Sequence, residues 1–286
     1  MFIVQSDRLL KYRSTTFRLN RQLHLKNERG AVRFINDRGF VLFWPGRNIL
    51  LPSIWSATAG DRAVPDNHDD PGHITWRWKD NLLGKKRCYY GRIIRKRNTF
   101  ISLAVLPYFY TLSPNYGDAE NDYLIQYEQG LLPVEAKMIY KAILSKGAMD
   151  TLALKRAAHL SSPTNESRFN RSLDILQRDF RILPIGIAEA GSWRYAFIYE
   201  AVHRHFPELI TQSHNISENE ARKNLILIYL KTVGACSYND LQRLFRWEVN
   251  QTKQMIENLI KTNLIILGKS DDGDQTSWII HPDFVI

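Results

Sequence analysis

Apolar residues in the second half of the chain follow one order of elements twice over. The first pass opens with a helix-period stretch, PVEAKMIYKAILSKG, with Pro133 at a first-turn position. The second opens with SENEARKNLILIYLKTVG, where Ser217 and Glu220 have capping-box spacing. A short helical block follows in each, KGAMDTLALKRAAHL (146–160) and VGACSYNDLQRLFRW (233–247). There Gly147 matches Gly234, Ala148 matches Ala235, Leu154 matches Leu241 and Arg156 matches Arg243. Next comes a second long helix pattern, ESRFNRSLDILQRDF and EVNQTKQMIENLIKTNL. A β-like run closes each copy, RILPIGIAEAGSWRYAFIY and IILGKSDDGDQTSWII, with Gly191 and Gly273 where hairpins would turn. Helix, short helix, helix and hairpin is the order of a winged helix, and chance rarely repeats the same order and register. The offset between matched glycines shortens from Gly147/Gly234 to Gly186/Gly268, so the turn before the third helix is longer in the first copy, at SSPTNES.

The first half differs in texture. In RFINDRGFVLFWP (33–45) an apolar segment, Phe40 to Trp44, follows directly on Asn36-Asp37-Arg38-Gly39. That polar knot is either a helix stop or a site holding a carboxylate at the edge of a buried strand. Further on, WRWKDNLLGKKRCYYGRIIRKRNTF (76–100) alternates as strands do around RCYYGRII and interleaves aromatics with basic residues. A basic strand pair of this kind can track phosphates through Lys85, Lys86, Arg87, Arg92, Arg95, Lys96 and Arg97 while its rings pack or stack. The loop PDNHDDPGH (65–73) gathers His68, Asp69, Asp70 and His73, but its prolines and glycine read as an exposed turn rather than a metal site. The predicted fold class is α+β: tandem winged helices with a β-rich element in the N-terminal half. The predicted divisions are 1–125, an N-terminal domain with a degenerate winged helix and the basic hairpin, then winged helices over 126–207 and 208–286.

Charge gives these elements a partner. The 286 residues hold 39 Lys and Arg against 29 Asp and Glu, a net charge of +10, which attracts polyanions and makes double-stranded DNA the leading candidate. In a helix-turn-helix unit the last helix enters the major groove. In the first copy that helix carries Arg168, Asn170, Arg171, Gln177 and Arg178, whereas in the second copy Glu248 and Glu257 count against DNA contact. Two distant cysteines, Cys88 and Cys236, suit a reducing compartment, and the cytoplasm is the expected location. No apolar run is long enough for a membrane helix, no signal-peptide pattern stands at the N-terminus, and no obligatory protein partner is evident.

Four stretches carry a resemblance: GAVRFINDRGFVLF, EAKMIYKAILSKGAMDTLALKRAAHL, SRFNRSLDILQRDFRILPIG and GSWRYAFIYEAVHRHFPEL. Together they resemble the AlkZ/YcaQ-like DNA glycosylases, in particular the AlkZ-related branch. The resemblance implies excision of bulky, alkylated or crosslinked bases by cleavage of the N-glycosidic bond, with neither a metal nor an organic cofactor. The last stretch is similar to the family's Arg-Tyr-containing wing and adds Trp193 and Arg194 to the DNA-binding set. Family enzymes carry Gln-x-Gln or Gln-x-Asp just after a helix of the RFINDRG type. One register puts Ile35 and Asp37 at those polar positions, and another puts Gly39 and Val41 there; neither restores the first glutamine.

Asp37 is the only acid in the stretch. A carboxylate near the anomeric carbon stabilises an oxocarbenium-like sugar and orients or deprotonates water, and Asn36 beside it could position that water. Three readings follow: a monofunctional glycosylase acting on a modified base in the cell's own or in foreign DNA, a non-catalytic DNA-binding regulator, and a protein-interaction scaffold.

Overall fold

The computed structural model of the chain describes residues 2–67, 69–115, 117–191, 194–271 and 276–285. The chain starts with strand β1 (Phe2–Val4) and helix α1 (Ser6–Thr16). A first unit follows, made of α2 (Glu28–Arg38), β2 (Phe40–Leu42), α3 (Ile54–Ala59), α4 (Ile74–Leu82), β3 (Tyr89–Arg92) and β4 (Asn98–Ile101). Helices α5 (Leu106–Thr111) and α6 (Asp122–Glu128) lead to the second unit. It comprises α7 (Val134–Lys146), β5 (Met149–Asp150), α8 (Thr151–Ala157), α9 (Glu166–Arg178), β6 (Ile182–Ala188) and β7 (Ala196–Ala201). After α10 (Val202–His205) and α11 (Glu208–His214) come α12 (Glu218–Val233), β8 (Ala235–Ser237), α13 (Tyr238–Phe245), α14 (Val249–Lys261), β9 (Ile266–Ser270) and β10 (Ser277–Ile280). Helix α15 (Pro282–Val285) completes the third unit.

In every unit the strand after the first helix pairs with the last strand, giving the orders β2-β4-β3, β5-β7-β6 and β8-β10-β9. The fold is α+β, and the winged-helix order recurs three times. The matched residues Leu154 and Leu241 are both fully buried, which explains why the repeat is apolar at those points. The Ser217 hydroxyl accepts the Glu220 amide at 3.1 Å, while the reciprocal capping box belongs to α13, between Ser237 and Asp240. Gly191, with φ +80°, lies between the strands of the second wing, and Gly273 is outside the described residues.

One expectation needs correction. Residues 2–16 do not sit with the first unit. β1 adds to the third sheet in parallel with β9, pairing Phe2 with Gly268, and the Arg13 guanidinium on α1 donates to the Val233 and Ala235 carbonyls at 3.1 and 2.7 Å. A boundary drawn as 1–125 therefore cuts across the third sheet.

The polar knot in the first unit is the last turn of α2, and Gly39 is the stop. Its φ of +78° lies in the region that favours glycine, and its amide donates to the Ile35 carbonyl at 2.8 Å. A Cβ built there would lie 2.5 Å from Ile228 Cγ2 on α12. Beyond it β2 is buried on both faces, as a strand's period of two allows. Phe40 and Leu42 enter a core shared with Phe180 of the second unit and Tyr229 and Leu230 of the third, while Val41 and Phe43 pack with Phe34, Trp78 and Phe100.

Gly39→Ala combines a disfavoured backbone with overpacking against α12 and is expected to lower stability by about 2–4 kcal/mol, read from the urea unfolding midpoint. Stability should also fall as pH drops below the ordinary histidine range. Burial pushes His203, His205 and His281 below their usual pKa, so in that window the unfolded chain binds more protons than the folded one. Unfolding midpoints taken from pH 7.5 down to pH 5 check the sign.

Candidate nucleic-acid interface

The hairpin of the first unit ends in a turn built from long basic residues. The Arg97 amide donates to the Ile94 carbonyl at 2.8 Å, and the two central residues, Arg95 and Lys96, have φ of +52° and +60°. Such a pair of left-handed residues is the pattern of the hairpin turn that ordinarily takes Asn-Gly. Side chains with a Cβ are strained there by about 1–2 kcal/mol each. The surroundings hold the turn in place. Ile93 and Ile94 are anchored in the shared core, and Arg95 Nη1 donates to the Arg243 carbonyl on α13 at 2.8 Å.

That contact gathers like charges. Arg95 borders one recess with Arg243 and Arg246, and partial burial together with the charges of Arg246, Arg243 and Arg97 pulls the Arg95 pKa below the ordinary arginine value. None of the four guanidiniums has an ion-pair partner among the described residues. A cluster of this kind stores repulsion that phosphate would relieve.

Beneath the tip lies a cavity of about 500 Å³ where the three units and α5 converge. Its walls are mainly apolar, with Phe109, Phe180 and Leu244 among them, while Arg95, Lys96, Arg178 and Arg246 supply cationic groups. Phe245 and Trp247 also line it, stacked with centroids 4.3 Å apart and planes 10° apart. One carboxylate lines the cavity. Asp179, the residue that caps α9, keeps only 7% of its side chain exposed and accepts from Arg178 Nε at 2.7 Å.

The other basic residues singled out in the sequence are more dispersed. Lys85, Lys86 and Arg87 form the exposed turn before β3, with Lys85 Nζ 3.9 Å from a Glu28 oxygen. Arg92 pairs with Asp174 at 2.7 Å, and its amide donates to Gln177 Oε1 at 3.2 Å, so the C-terminal half of α9 is locked against the first hairpin. Gln177, counted in the sequence among the polar residues of this helix, is consequently buried and cannot reach DNA. Arg168, Asn170 and Arg171 lie on the exposed N-terminal half; Arg168 is 3.6 Å from Glu135, and Asn170 donates to Glu166 at 3.1 Å. Arg194 is exposed on the second wing, paired with Glu189 at 2.6 Å, while Trp193 lies outside the described residues. Before α14, Glu248 is the N-cap, accepting the Gln251 amide at 2.7 Å.

A caged lysine ties the second wing to the first unit. Lys79 on α4 is 1% exposed, with Nζ 2.7 Å from Asp80 Oδ1 and 4.5 and 4.8 Å from the ring centres of Trp76 and Phe197. It also donates to the Tyr195 hydroxyl, which in turn donates to Asp80 at 2.8 Å. Burial pushes the Lys79 pKa down, and the Asp80 hydrogen bond and charge oppose that shift. In the loop before this cage, Asp70 pairs with Arg62 at 2.6 Å and caps the Gly72 amide, and the His73 ring sits against Trp44 and Trp55.

Asp37 stands apart from the cationic junction. On the last turn of α2 its side chain is 45% exposed, 3.9 Å from Arg18, beside a cavity of about 250 Å³ bordered by Thr15, Thr16 and Phe34. Asn36 is exposed next to it.

The sequence profile of the AlkZ-related family matches residues 25–246. The chain belongs to the AlkZ-related family. Its fold is similar to that of Streptomyces sahachiroi DNA glycosylase AlkZ, with a TM-score of 0.60 over 99% of this chain and 71% of that one. The two are 10% identical, so the likeness is one of fold. Among curated proteins no sequence matches the chain.

In this AlkZ-related protein neither family register yields two exposed polar positions. Ile35 and Val41 are fully buried, Gly39 is the buried helix stop, and Asp37 alone reaches solvent. Arg243 and Arg246 entered the sequence reading only as repeat positions or not at all. Arg243 meets Arg95 across 148 residues, a separation that leaves no local pattern.

Replacing Arg95-Lys96 by Asn-Gly should relieve the turn and raise stability by about 1–2 kcal/mol while weakening duplex DNA binding. Thermal melting and a fluorescence-anisotropy titration of the same variant check both halves.

Proposed function

We propose that this AlkZ-related protein is a DNA glycosylase that hydrolyses the N-glycosidic bond of a bulky, alkylated or otherwise modified base in double-stranded DNA. The observation that carries the reading is the set of four guanidiniums around Arg95, without an ion-pair partner among the described residues, in a chain of this family. Phosphate is the natural counter-charge for such a cluster. Arg95, Lys96 and Arg97 with Arg243 and Arg246 would grip one stretch of backbone. Lys85–Arg87, the exposed end of α9 and Arg194 would extend the grip. The chemistry uses water and no metal or organic cofactor. Asp37 is the acid singled out by the sequence, with Asn36 positioning water, and at its exposed position both would act once bound DNA covers the shallow cavity. The target is either damage in the cell's own genome or a base modified in foreign DNA, and the working location is the cytoplasm.

A non-catalytic DNA-binding regulator is the second reading. The apolar side chains at the strand positions and the solvated setting of Asp37 favour it.

Duplex binding should weaken steeply with salt. Arg95→Ala combined with Arg246→Ala should reduce the slope of log K against log salt by about 2, measured by anisotropy. Base release is followed by alkali-induced strand scission on duplexes carrying bulky alkylated bases, with Asp37→Asn beside wild type. Release by wild type alone assigns the acid to Asp37, and equal release by both moves it elsewhere. Binding without release across the panel favours the regulator.

A further inference from the structure

We infer that the junction cavity is the pocket for an extrahelical nucleobase, and that Asp179 is the carboxylate that faces its sugar. The inference rests on the proposed glycosylase activity and moves its acid from Asp37 to Asp179. Three features support it together. First, the cavity's volume of about 500 Å³ falls within the roughly 300–1,000 Å³ of small-ligand pockets, and its mainly apolar walls suit a planar base. Second, its cations are arranged for a strand. Arg95, Lys96, Arg178 and Arg246 line the cavity, so a nucleotide entering it would bring its phosphates to them. Third, Asp179 is an acid lining this space, nearly buried yet held by a charged partner, with Arg178 Nε on Oδ1 at 2.7 Å. Asp37 has a smaller cavity and a longer, 3.9 Å contact with its cation, Arg18. Its side chain is 45% exposed, against 7% for Asp179.

The chemistry balances with water as the co-reactant. The C1′–N bond breaks and its electron pair leaves with the base nitrogen, producing cationic character at C1′. The Asp179 carboxylate, itself nearly buried against mainly apolar walls, stabilises that charge more strongly than an acid on an open surface would. Water oxygen then bonds to C1′ and its proton passes through the carboxylate to the departing base.

The test needs no knowledge of the modified base. Two duplexes are compared, one carrying a cationic pyrrolidine in place of a single deoxyribose and one carrying the neutral tetrahydrofuran. Wild-type protein is expected to prefer the cationic sugar by about tenfold or more, as transition-state analogues are preferred. Asp179→Asn should abolish that preference while leaving affinity for unmodified duplex within about twofold, and Asp37→Asn should keep it. Leu244→Trp, which adds bulk to the cavity wall, should abolish the preference as well, and unchanged affinity for unmodified duplex shows that each variant is folded. A wild type that binds duplex without preferring the cation overturns the inference, as does a preference lost in Asp37→Asn and retained in Asp179→Asn. Failure to bind any duplex overturns the proposed function itself, and the inference with it.

Discussion

The close approach of α12 to the Gly39 corner sets the geometry of the molecule. Because glycine ends α2 there, Ile228 can sit where a side chain would otherwise be, and α12 runs flush along the first unit. That contact buries the second face of β2 and brings the start of the third unit against the first hairpin. Core, cavity and cationic cluster are all products of this one packing arrangement. A domain held by a polar interface would be free to swing. Here Phe40, Leu42, Tyr229 and Leu230 belong to one continuous apolar cluster, so the three winged helices form a single body with a fixed groove between them.

Electrostatics were arranged against the grain of stability at the place where that body meets its ligand. Two consecutive basic residues occupy left-handed positions, and four guanidiniums converge without an acid among the described residues. Elsewhere the chain satisfies its charges with care: Arg92 has Asp174, Arg62 has Asp70, and Arg181 reaches Asp122 at 2.6 Å in the interior. Strain and repulsion confined to one spot are the signature of a site shaped for something other than folding.

The sequence exposed the parts of the fold that depend on local periodicity. Gly147 and Gly234, Leu154 and Leu241 mark equivalent points because each short helix must bury the same leucine. The first winged helix was harder to read, since long connections on either side of α3 dilute the pattern, and α1 with β1 belongs to a sheet completed only at the other end of the chain. The basic hairpin was legible as a charged strand pair. Its partners Arg243 and Arg246 were not, because nothing local marks two residues that meet Arg95 only when α13 docks. Asp37 looked enclosed because it precedes an apolar strand. It is instead half-exposed on the last turn of α2, facing Arg18. Asp179 drew no notice, as an acid after Gln-Arg has no motif around it.

The parallel strand β1 has a consequence for how the chain is made. Ser6 and Asp271, joined by hydrogen bonds as short as 2.7 Å, are 265 residues apart in sequence. On a ribosome β1 must wait, unpaired, until β9 has been synthesised, whereas the second unit can close from local contacts as it emerges. The third unit then folds around a strand made long before it, and its docking completes the wall of the junction cavity in the same step. A chain arrested before the third unit presents basic hairpins and helices but no assembled site.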